Sequence, residues 1–105
     1  MEPSKKDWEL YQEKVADWQE AYTERFIKEY VDYLNGDESA CTKFWEMEKR
    51  IKMDRKSPGV CIELNKGDML SDLVRLIKGG VITFDDLDAF SDELKESVKF
   101  LQQRQ

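Results

Sequence analysis

The residues best suited to chemistry are two cysteines and a cluster of carboxylates, because the chain has no histidine. Histidine is the commonest general base and a frequent metal ligand, so its absence lowers the expectation of catalysis. Cys41 and Cys61 lie far apart without a CxxC motif, and two thiolates are too few for an all-cysteine zinc site. We therefore favour two buried structural thiols over a redox pair.

The carboxylate cluster lies in the last quarter of the chain and comprises Asp85, Asp86, Asp88, Asp92 and Glu93. Calcium loops place ligands at alternate positions around a glycine, and that pattern is absent from this sequence. Acidic side chains also stabilise the first turn of a helix, where the backbone N–H groups are free. We expect helix-capping carboxylates here, and we expect no metal, no other cofactor and no catalytic residue in a non-enzymatic protein.

A basic segment at 41–56 is the one stretch suited to nucleic acid. It carries six basic and three acidic side chains, whereas 1–40 carries five basic and eleven acidic ones. Candidate phosphate contacts are Lys43, Lys49, Arg50, Lys52, Arg55 and Lys56, with Phe44 or Trp45 available for base stacking. Acids interrupt the run and no nucleic-acid motif is present. We favour a solvated face that neutralises the acidic first helix, with nucleic-acid binding as the alternative.

The helix that organises the chain is predicted from Asp7 to Leu34, where apolar residues recur at helical spacing. Its main stripe contains Trp8, Tyr11, Val15, Trp18, Tyr22, Phe26, Tyr30 and Tyr33. After Phe26, the residues Ile27, Val31 and Leu34 add a second apolar face. Since a wider apolar arc indicates deeper burial, we expect the C-terminal half to be buried and the N-terminal half to project or to be only partly covered.

The rest of the chain is predicted to be helical as well. Asn35-Gly36 is expected to end the first helix in the left-handed conformation, and a second helix then runs to about Lys56 as the return arm of an antiparallel hairpin. A strongly buried helix at 69–78 ends in a sharp turn at Gly79-Gly80, and Thr83 and Ser91 cap two short helices. Residues 60–64 alternate in polarity and are expected to be extended, with 81–84 as the available strand partner.

The predicted fold class is therefore all-α: a small helical bundle in one domain spanning 1–105. Residues 1–6 form a flexible lead, 7–56 the hairpin, and 57–105 an extended connector with the C-terminal helices. Size and composition favour one core, because 105 residues with 11% aromatic side chains suffice for a single folded unit.

The predicted function is that of a small acidic protein-interaction module. Exposed aromatic patches are rare unless they serve an interface, so the projecting half of the first helix is the predicted partner-binding site. Its residues are Trp8, Tyr11, Val15, Trp18 and Tyr22. The partner is another protein or a second copy, most simply through a twofold pair of first helices. The alternative is that the stripe belongs to the core, with the C-terminal helix folded back over it within one chain. A regulator or inhibitor of the phage or mobile-element type fits the size and the net charge of −6.

The expected location is the cytoplasm. No apolar run approaches the roughly 20 residues that span a membrane, and the first residues lack the apolar region of a secretory signal. Two widely spaced cysteines are also more typical of a reducing compartment than of a disulfide framework.

Overall fold

The computed structural model describes residues 3–104. Four α-helices follow one another along the chain: α1 (Lys5–Leu34), α2 (Ala40–Asp54), α3 (Met69–Lys78) and α4 (Asp92–Gln103). Two 3₁₀ turns, at Lys66–Asp68 and Phe84–Leu87, precede α3 and α4. The described range contains no β-strand. These elements confirm the all-α class, the antiparallel hairpin of α1 and α2, and the buried third helix.

Serine side chains cap the N-termini of three of the four described helices. The side chains of Ser4, Ser39 and Ser91 accept hydrogen bonds from the backbone N–H groups of Asp7, Thr42 and Leu94 at 3.1, 3.2 and 3.2 Å. Each cap satisfies a backbone donor that has no partner within its helix. α1 consequently begins two residues earlier than predicted, at Lys5, and Met1 and Glu2 of the predicted lead lie outside the described residues.

The two glycine turns differ in backbone conformation. Gly80 has φ 74° and reverses the chain after α3, so the sharp turn at Gly79-Gly80 is confirmed. Asn35 has φ −82° and ψ −3°, in the right-handed region, and its N–H donates to the Val31 carbonyl at 3.0 Å. Gly36 has no positive φ either, and its N–H donates to the Tyr33 carbonyl at 3.0 Å, so the helix ends in a tightened turn. The prediction of a left-handed terminator at Asn35-Gly36 is therefore wrong.

The hydrophobic core lies at the N-terminal end of α1, where α3 and α4 pack across it. Its buried members are Tyr11, Val15, Met69, Leu73, Val74, Leu76, Ile82, Leu87, Phe90, Leu94 and Val98. α3 and α4 form the most extensive helix pair in the described chain. The core is therefore built from the first half of α1 and the C-terminal third of the sequence.

Asp7 fastens the start of α1 to the start of α4. Its carboxylate is 4% exposed and accepts two hydrogen bonds from Ser91, from the backbone N–H at 3.0 Å and from the hydroxyl at 2.6 Å. A carboxylate between two helix N-termini is favoured by the positive end of each helix dipole. This contact sets which half of α1 the C-terminal helices cover.

Beyond the core, α1 continues with α2 as a hairpin that we call the arm, residues 20–56. The molecule measures 52 × 26 × 22 Å and its radius of gyration is 16.7 Å, whereas a compact chain of this length has about 13 Å. Two contacts join the arm helices: the Tyr30 hydroxyl donates to the Asp54 carboxylate, and the Arg50 guanidinium lies 4.3 Å from the Tyr33 ring centroid. No residue of α2 is buried.

Burial along α1 is the reverse of the prediction. Tyr11 and Val15 are 0% and 3% exposed, whereas Ile27, Val31 and Leu34 are 51%, 49% and 43% exposed. The prediction that the N-terminal half projects is wrong because α3 and α4 dock on that half. The wider apolar arc of the C-terminal half faces only α2, which covers part of it.

The connector after α2 crosses α1 at a glycine. Gly59 is buried, and a Cβ atom there would lie 2.6 Å from both Tyr22 Cε2 and Val81 Cγ2, with Tyr22 Cδ2 closer still. Residues 61–64 then form neither helix nor strand, and no ladder with 81–84 exists in the described chain. The close approach at Gly59 holds the base of the arm against the core.

Candidate interaction surface

An exposed apolar surface runs along one side of the arm. We call it the arm face, and it consists of Ile27, Val31, Leu34, Phe44 and Ile51. The exposed fractions of these side chains range from 43% for Leu34 to 65% for Phe44. Ile27 and Ile51 line the same groove of about 230 Å³, which places the contributions of α1 and α2 on one side of the hairpin.

The spacing of these residues extends the face along both helices. Val31 and Leu34 lie four and seven positions after Ile27, which is one turn and two turns further along α1. Phe44 lies seven positions before Ile51, two turns earlier on α2. The arm face is therefore two neighbouring apolar rows with a groove between them.

The groove has a polar end at the Tyr30–Asp54 hydrogen bond. Burial and the neighbouring Asp54 carboxylate raise the pKa of Tyr30 to about 12, so the hydroxyl stays protonated and donates to Asp54. The remaining walls are mostly apolar and include Phe26 and Val60. This arrangement suits an inserted apolar side chain more than a charged one.

Charged side chains of both signs border the arm face on each helix. Glu24 precedes Ile27 by one turn of α1 and Lys28 directly follows it, and both are exposed. On α2, Glu48 precedes Ile51 by one turn and forms an ion pair with Lys52 at 3.0 Å. The border of the face therefore has no single sign of charge.

Comparisons with known proteins do not place the chain in a family. No family model, no curated protein and no solved structure matches it. The functional interpretation therefore depends on the surfaces of the chain itself.

The residues predicted to bind a partner lie in the core. Tyr11 and Val15 are buried, while Trp8, Trp18 and Tyr22 are half-buried. Trp8 stacks on Tyr11 with ring centroids 5.9 Å apart, and Trp18 packs on Phe90 at 6.4 Å. A partner would reach the two buried side chains only if the core opened. The expectation of a free aromatic patch there is corrected by this packing.

The six candidate phosphate contacts differ in exposure, and two of them are paired with acids. Lys43 and Arg50 are half-buried, and Lys49, Lys52, Arg55 and Lys56 are exposed. Within α2, Arg50 Nε lies 3.2 Å from Glu46 and Lys52 Nζ lies 3.0 Å from Glu48. These ion pairs offset part of the positive charge, so a phosphate would meet a weaker field than the count of basic residues indicates.

The remaining chemical candidates have structural surroundings. Cys41 and Cys61 are free thiols on the surface, so the expectation that both are buried is wrong. Asp86 completes a capping box with Thr83, and Asp92 and Glu93 occupy the first turn of α4, as helix-capping predicted. Within residues 3–104, no three His, Cys, Asp or Glu side chains are grouped to hold a metal ion.

A larger concavity of about 490 Å³ lies between α3 and α4. Its lining residues are Leu70, Glu93, Glu96, Ser97, Phe100 and Leu101. Phe100 is its one largely exposed apolar side chain, at 58%. Two carboxylates at its border make it less apolar than the arm face. Separately, none of the helices in the described chain is long and apolar enough to cross a membrane.

Proposed function

We propose that the protein is a non-enzymatic interaction module that binds a protein partner through the arm face. The observation that carries the proposal is the set of five large apolar side chains, each 43–65% exposed, on one side of a helical hairpin. The five side chains together expose on the order of 400 Å² of apolar surface. That area is comparable to the largest apolar patch on a typical monomer, about 300–600 Å², and such patches are often functional.

The energetics of α2 support the same proposal. α2 has 15 residues and buries none of them, and isolated helices of about 12–15 residues are only marginally stable in water. The Tyr30–Asp54 hydrogen bond and the Arg50–Tyr33 contact add only about 0.5–1.5 kcal/mol each. A partner that covered Phe44 and Ile51 would bury apolar surface of α2 that is exposed in the single chain, and would thereby stabilise the helix.

The shape of the face indicates which kind of partner fits. Two apolar rows with a groove of about 230 Å³ between them suit an amphipathic helix that inserts apolar side chains at one-turn spacing. Binding of this kind acts by occupancy, so a module of this type regulates or blocks the partner that it covers. A regulator or inhibitor of the phage or mobile-element type remains our proposal for the biological role.

A site-specific crosslinking experiment tests the proposal. A photoreactive amino acid replaces Phe44 on the arm face, or Met53 as a matched control, since their exposed fractions are 65% and 63%. Met53 lies two positions after Ile51, which turns it about 160° away from the face. We expect ultraviolet light to trap a protein at position 44 in cells of the source organism, and Val31→Glu to abolish that product.

Two results would contradict the proposal. Equal crosslinking at positions 44 and 53, insensitive to Val31→Glu, would show that the arm face is not the binding surface. A gel shift with DNA or RNA at low salt that Lys49→Glu with Lys52→Glu removes, and that Val31→Glu leaves intact, would assign the arm to nucleic acid. In that case binding would also weaken steeply with salt.

A further inference from the structure

We infer that the occupant of the arm face is a second copy of this chain, bound through the same five apolar side chains. The inference rests on the proposed function and names its partner. Its product is a four-helix bundle formed by two arms. Each helix in that bundle has antiparallel neighbours.

The architecture of the arm is half of such a bundle. An up-down bundle needs antiparallel helices whose apolar residues point to one side, and the arm has that arrangement. Ile27, Val31 and Leu34 repeat with the spacing of core positions on α1. Two arms placed face to face would remove both sets of apolar rows from water with the same residues on each side, as a twofold interface requires.

The core does not obstruct this contact. On a helical projection with 100° per residue, the arm-face residues of α1 are centred roughly 140° from Tyr11 and Val15, which face the core. The core therefore lies on the opposite side of α1 from the second arm. Two copies can approach without rearranging α3 or α4.

The exposed area is adequate for a dimer. The five arm-face side chains expose on the order of 400 Å² of apolar surface per copy. A standard interface buries about 800 Å² per partner, of which a little more than half is apolar. The arm face therefore supplies nearly all the apolar area that such an interface contains.

Sedimentation analysis of the full chain tests the inference. The buffer contains a reductant, because Cys41 and Cys61 are free surface thiols that could link two copies covalently. We expect the wild type to be a dimer at micromolar concentration. Val31→Glu and Phe44→Glu should each weaken the dimer by roughly 100-fold or more, since a carboxylate would be buried without a partner.

Two controls separate association from folding. Both substituted residues are largely exposed in one copy, so their variants should keep the circular dichroism of a folded monomer. Met53→Glu introduces the same charge on the opposite side of α2 and should leave the dimer intact. A monomeric wild type, or a dimer that Val31→Glu does not weaken, would overturn the inference.

The crosslinking experiment distinguishes failure of this inference from failure of the proposed function. A wild type that is monomeric, yet is trapped at position 44 by a different polypeptide, overturns self-association and supports the interaction function. A monomeric wild type that is trapped by nothing overturns both.

Discussion

Tyr11 carries a hydroxyl that the core does not satisfy. The side chain is 0% exposed, and its oxygen has no hydrogen-bond partner in the described part of the chain. Burial, with a smaller contribution from the Asp72 carboxylate, raises the pKa of Tyr11 well above its ordinary value, so the hydroxyl is protonated throughout the accessible pH range. We predict that Tyr11→Phe stabilises the protein.

The magnitude follows from the desolvation of one polar group. A buried donor without a partner costs about 1–3 kcal/mol. Removing the oxygen leaves a small void that offsets part of this gain. The ring contacts with Trp8 and Trp18 are unchanged in phenylalanine. The expected net change is about 1 kcal/mol in favour of the variant, which is roughly 4 °C in Tm for a domain of this size.

Urea unfolding at neutral pH measures the effect, with Tyr30→Phe as the matched control. The Tyr30 hydroxyl donates to Asp54, so its removal should destabilise the chain by about 0.5–1.5 kcal/mol. Opposite signs for two identical chemical changes would establish the reasoning. A loss of about 1 kcal/mol or more in Tyr11→Phe would refute it, since the hydroxyl would then have a partner in the folded state.

Three further substitutions test the packing of the core. Leu73 is 0% exposed, so Leu73→Ala should cost about 2–5 kcal/mol in a denaturant titration, and a loss below about 1 kcal/mol would mean that the core is elsewhere. Gly59→Ala should cost roughly 1–3 kcal/mol, since its Cβ would meet the Tyr22 ring; an unchanged Tm would contradict that contact. Burial raises the pKa of the Asp72 carboxyl, although Arg75 opposes this. The folded state therefore binds that proton more tightly than the unfolded state. Lowering the pH from neutral towards 4, the ordinary pKa of a carboxyl being about 4, should stabilise the wild type relative to Asp72→Asn. The Tm of both proteins at the two pH values measures this difference.

Local signals in the sequence were sufficient to predict the helices. A capping hydroxyl such as Ser39 or Ser91 acts on backbone groups within three residues, so its effect does not depend on the rest of the fold. The two glycines after Lys78 end α3 through their own backbone conformation, which is also a local effect. α3 therefore has the predicted bounds of Met69–Lys78. For the same reason the sequence correctly predicts that Asp92 and Glu93 lie in the first turn of α4.

The order of burial along α1 was not predictable, because both of its apolar faces have the same helical period. Which face is covered depends on where α3 and α4 dock, and the Asp7–Ser91 contact that fixes this joins residues 84 positions apart. The sequence marks Ile27 and Val31 as a second apolar face, but the width of an apolar face does not show whether the same chain covers it.

The continuity of α1 has a consequence for motion. One helix of 30 residues belongs to two regions with very different numbers of buried side chains. Amide hydrogens near Tyr11 should exchange only when the whole protein unfolds, whereas those of α2 should exchange through local opening of the arm. The observed binding free energy of any occupant of the arm face would then be reduced by the free energy needed to suppress this local unfolding. Slowed exchange in α2 would report occupancy even where no backbone atom moves, and the protection would rise with occupant concentration while the core stayed unchanged.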